Sequence, residues 1–139
     1  MKLDQAVDLI KSCANRMNSM YGKTVFDEWV VLSFAAGKAN IVRYMGPRQD
    51  GFQKNFGRDA GELRPMLMRQ GHGAGDFEFA RYGNGTHFEA MMVLGSQLFL
   101  VCNNTGDSME GITKDARWLN AQVPFLELTE TFRKDPLSI

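Results

Sequence analysis

Between Leu3 and Met20 the apolar positions are Leu3, Ala6, Val7, Leu9, Ile10, Cys13, Ala14, Met17 and Met20, separated mostly by three or four residues. That spacing winds them onto one stripe of a helix and turns Asp4, Asp8, Lys11, Asn15 and Asn18 to water. Gly22 supplies a stop. The period then changes. Residues Val25–Ala36 (VFDEWVVLSFAA) are β-branched and aromatic, and apolar on both faces from Trp29 to Ala35, which predicts a central strand. Gly37-Lys38 offers a tight turn and Ile41–Met45 a partner strand, so the pair is read as a hairpin.

Pro47 is placed as the first residue of a helix, with Phe52 and Phe56 sharing a face four residues apart. Asp59 and Glu62 have capping-box spacing before Leu63, Met66 and Leu67, while Pro65 interrupts the helical pattern. Residues 47–70 are therefore two short helical pieces. Asp76–Tyr82 alternates Phe77 and Phe79 against Asp76 and Glu78. Gly83-Asn84-Gly85 signals a hairpin into Thr86–Leu94, where Phe88, Ala90, Met92 and Leu94 alternate with His87, Glu89, Met91 and Val93. Gly95-Ser96 fits a two-residue turn with glycine first, and Gln97–Asn103 is a two-sided apolar strand. After the polar loop Asn103–Ser108, Ile112, Ala116, Leu119 and Val123 step helically; Pro124 bends or restarts that helix before Phe125, Leu128 and Phe132.

The pattern predicts an α+β fold, α-β-β-α-β-β-β-α, with a five-stranded antiparallel sheet packed by helices. At 139 residues it is one domain, 1–139, large enough to bury a core without staples. Sixteen basic residues balance sixteen acidic ones, so no net field favours nucleic acid or anionic lipid. Asp4, Asp8 and Lys11 interrupt what a secretory signal would need to keep apolar, and no apolar run reaches the ~20 residues of a membrane span. Cys13 and Cys102 sit in separate apolar segments and are read as buried reduced thiols, which fits a cytoplasmic protein.

Candidate chemistry changes little. The stretch RQGHGAGDFEF (Arg69–Phe79) is rich in glycine, but phosphate loops leave a strand and enter a helix. Here the order is reversed, so Gly71–Gly75 is a turn, with Gly71 at a helix C-cap. Gly46-Pro47-Arg48 does run from strand to helix, making Gly46 and Arg48 a candidate anion site. His72 and His87 lie in no metal-binding motif, Ser33 lacks a nucleophile elbow, and Cys102 lies in an apolar strand. The carboxylate pair Asp27-Glu28 carries no catalytic hypothesis, and Asp76 and Glu78 share a strand face that reads as the solvent side of an amphipathic strand. Phe77, Phe79 and Arg81 on one strand have no second aromatic-basic strand to make an RNA platform. The reading is a non-catalytic protein with no cofactor or metal.

The layout of helix Leu3–Met20, hairpin Val25–Met45, helical segment Pro47–Gln70, meander Asp76–Asn103 and helix Ile112–Phe132 resembles the profilin-like folds. Within them it is most similar to the roadblock family, dynein light-chain relatives that include bacterial partners of small Ras-like GTPases. The resemblance implies a homodimer built from the central helical segment and the first meander strand, serving as a scaffold or GTPase regulator. Carried onto this chain, it places Leu63, Phe77 and Phe79 in the dimer interface. The same layout also resembles PAS-type sensor domains, which would imply a small-ligand cavity lined by Trp29, Tyr44, Phe88 and Met92. A structural subunit of a larger complex is a third reading, for which an apolar patch without a symmetric mate would speak.

Overall fold

The computed structural model describes residues 1–36, 38–54, 72–82 and 87–139, with the backbone alone at 81 and 82. Helix α1 runs Leu3–Tyr21, and β1 (Glu28–Ala35) and β2 (Lys38–Met45) form a hairpin followed by the short helix α2 (Gln49–Lys54). Strands β3 (Phe77–Tyr82), β4 (His87–Gly95) and β5 (Leu98–Asn103) precede a 3-10 turn, Ile112–Lys114. Helices α3 (Ala116–Ala121) and α4 (Val123–Lys134) complete the order. All strand pairings are antiparallel. They give one five-stranded sheet in the order β2-β1-β5-β4-β3.

The period-2 alternation of the strands divides the core in two. On one face Trp29, Val31, Phe88, Ala90, Met92, Leu94, Leu100 and Cys102 meet the buried stripe of α1 together with Trp118, Phe125, Leu128 and Phe132. On the other, Val30, Leu32, Met91, Val93, Phe99 and Val101 form a second apolar layer with Phe52 of α2. Both faces of β1, β5 and β4 are thus covered. For β1 and β5 this follows the sequence reading; for β4, Glu89, Met91 and Val93 are buried as well as the aromatic-bearing face. A strand flanked by β5 and β3, with apolar layers above and below, has no solvent side.

Helix α1 ends as its sequence implies, on Gly22 in the left-handed region (φ 87°), whose N–H donates to Asn18 O. Pro124 restarts the C-terminal helix at the beginning of α4, while Asp115 caps α3 by accepting from Arg117 N at 2.9 Å. Residues 112–132 are therefore three short helical pieces. Among the described residues, no helix is long and apolar enough to cross a membrane.

Three local readings are corrected. β1 begins at Glu28, not Val25; Val25 N–H and C=O are taken by the side chains of Asn18 and Asn104. The helix near Pro47 begins at Gln49, because Arg48 is the capping position: its C=O accepts from Phe52 N, while its own N–H donates to Tyr44 Oη. The β4–β5 turn is Ser96-Gln97, not Gly95-Ser96. Phe34 N of β1 donates to Gln97 O, and Gln97 itself takes the positive φ (59°).

Gly95 is required for a different reason. A Cβ there would collide with Leu137 O, where Leu137 N donates to Leu94 O and the Leu137 side chain is buried. Gly95→Ala is expected to displace residues 136–138 and to cost about 1–3 kcal/mol, the range for forced overpacking. Urea unfolding checks the cost. Unchanged stability with full exchange protection of the Leu137 amide would contradict the assignment.

Candidate functional site

Glu28 opens β1, yet its side chain is fully buried. Its Oε1 accepts from Asn103 Nδ2 at 2.9 Å and from Arg48 Nη2 at 2.8 Å. Its Oε2 accepts from Arg48 Nε at 2.8 Å and from the Tyr44 hydroxyl. A buried carboxylate is tolerated only with such partners, and the forked guanidinium supplies two at once. Arg48 lies over the Phe52 ring at 5.8 Å, and Tyr44 packs beside Phe52. Burial, reinforced by the Glu28 hydrogen bond, raises the Tyr44 pKa, so the phenol stays a donor.

Strand register sets this cluster. Asn103 is directly opposite both Glu28 on β1 and Glu89 on β4, making a buried polar row across three strands on the face of the second layer. Gly46 completes the corner: a Cβ would sit 2.8 Å from Tyr44 Oη and 3.1 Å from Glu28 Cα. At Gly46 and Arg48, the candidate anion site of the sequence, the Arg48 guanidinium is engaged by the chain's own Glu28. The Arg48 N–H expected to greet an outside anion is given to Tyr44 Oη. The sequence reading notes Asp27-Glu28 as a carboxylate pair and assigns it no role. The signal for burial of Glu28 is its place beside a run apolar on both faces. Asp27 behaves otherwise, binding Thr105 through its backbone N–H (2.9 Å) and Oγ1 (2.5 Å) and so pinning the 103–108 loop.

The remaining candidates are dispersed. His72 lies 5.7 Å from the Phe99 ring, whereas His87 is exposed at the start of β4. Gly75 takes a positive φ (92°), and Asp76 accepts from Gly73 N at 2.8 Å, as in a turn. Gly71 lies outside the described residues. Among the described residues no group of three His, Cys, Asp or Glu side chains is disposed to hold a metal. Burial pushes the Cys13 thiol up to about 12 and Cys102 well above its ordinary value. Both are expected to resist a thiol-disulfide reagent in the folded protein and to react on unfolding. Prompt labelling of the native chain would contradict their burial.

Trp29, Tyr44, Phe88 and Met92 do not line one cavity. Trp29, Phe88 and Met92 belong to the helix-side core, with Trp29 Nε1 donating to Phe26 O; Tyr44 is on the opposite face. Phe77 and Phe79 also turn inward. Phe79 lies 5.0 Å from Phe125, 5.2 Å from Trp118 and 5.6 Å from Phe88, and Phe77 lies 5.8 Å from Phe125. Leu63 lies outside the described residues.

What β3 turns outward is its backbone. It ends the sheet, with β4 as its neighbour among the described residues. Val93 N donates to Asp76 O. The antiparallel alternation, followed through the register, then pairs Glu78 with Met91 and Ala80 with Glu89 by hydrogen bonds. The N–H groups of Phe77, Phe79 and Arg81 consequently point away from β4. The opposite edge, β2, has a register irregularity facing Val31/Leu32, an exposed Lys38, and Arg43 reaching Asp4 at 3.7 Å. Bulges and charges of this kind discourage strand addition. β3 pairs without interruption from Phe77 to Tyr82.

No known protein family, curated protein or solved structure matches this chain.

Proposed function

We propose that the protein is a non-catalytic interaction module that pairs with a second copy of itself through the β3 edge. The observation that carries the reading is the contrast between the two edges among the described residues: the register of β2 is bulged, and that of β3 is regular, with its outward amides unoccupied by β4. An edge of this type adds a strand, and an antiparallel copy of itself is the simplest strand to add. The profilin-like topology, and the roadblock family within it, accord with the order of the described elements. On that resemblance the homodimer acts as a scaffold or regulator of a small Ras-like GTPase. Phe77 and Phe79 stiffen β3 from inside, and Leu63 belongs to the segment that the resemblance assigns to the same interface.

Arg81→Pro tests this reading. It removes an outward N–H and no bond to β4, and an edge strand accepts proline at such a position. Native mass spectrometry of the unaltered chain is expected to give a dimer of 15.6 kDa subunits. The variant is expected to be monomeric with an unchanged circular dichroism spectrum. A monomeric parent, or a folded variant that dimerises as the parent does, would overturn the proposal.

A further inference from the structure

We draw no further inference here: the strongest candidate, the buried polar row Glu28–Asn103–Glu89 across the central strands, belongs to the cluster already described, and nothing in the structure shows a ligand chemistry that would meet it.

Discussion

Glu28→Ala is expected to lower the unfolding free energy by about 3–5 kcal/mol, the cost of breaking a buried ion pair by removing one partner. The truncation takes the acceptor away from four donors: two on Arg48, the Tyr44 hydroxyl and the Asn103 amide. Asn103 is buried and cannot turn to water for a replacement, whereas Arg48, about one-third exposed, recovers part of its solvation. The loss should therefore fall most heavily where β1 and β5 pair. Glu28→Gln keeps the shape and one acceptor oxygen, so its cost should be smaller, about 1.5–3 kcal/mol. Urea denaturation of both variants separates the alternatives. Equal and small effects would mean that the carboxylate is not the fastening point of β1, β2, β5 and the start of α2.

Phe125→Ala should cost a similar amount, about 3–5 kcal/mol, through an unrelated mechanism. Phe125 is fully buried, and its ring lies among Trp29, Phe77 and Phe79 at 6.5, 5.8 and 5.0 Å. The truncation forfeits apolar burial and leaves a cavity whose walls are strands and helices held by their own hydrogen bonds, so little collapse can offset it. A domain of this kind has about 5–15 kcal/mol of stability in total, and this substitution therefore removes a large part of it. Because Phe79 belongs to the edge strand, the variant should also loosen β3. Thermal unfolding reads the first effect and amide exchange along β3 the second. A change below about 1 kcal/mol would show that the site repacks, contrary to the close aromatic contacts seen here.

Much of the fold could be read in the sequence because its periods are clean. The three-and-four spacing of Ala6, Ile10, Cys13 and Met17 marks α1 with its buried face, and Trp29–Leu32 marks β1 as a strand covered on both sides. The alternation of β3 assigns Phe77 and Phe79 to the core side. Features that depend on pairing between distant segments were not legible. Glu28, Asn103 and Glu89 form a row because of the β1–β5 and β5–β4 registers, and no local pattern around any of the three encodes that adjacency. The role of Gly95 depends on Leu137, more than forty residues later. Arg48, read as part of a candidate anion site by its place between strand and helix, pairs with a carboxylate of the chain itself. The sequence could not say that the carboxylate would be Glu28. Alternation gives the side on which Phe77 and Phe79 lie, whereas the place of β3 at the end of the sheet among the described residues comes from strand pairing.

Amide hydrogen exchange along β3, followed residue by residue at high and low protein concentration, tests the central claim most directly. The proposed dimer predicts that Phe77, Phe79 and Arg81 amides, which β4 does not bind, are protected at high concentration as Glu78 and Ala80 are. Their protection should fall on dilution while that of Glu78 and Ala80 persists. Fast exchange of Phe77, Phe79 and Arg81 at every concentration, beside protected Glu78 and Ala80, would mean that the β3 edge is open to water and joins no second copy.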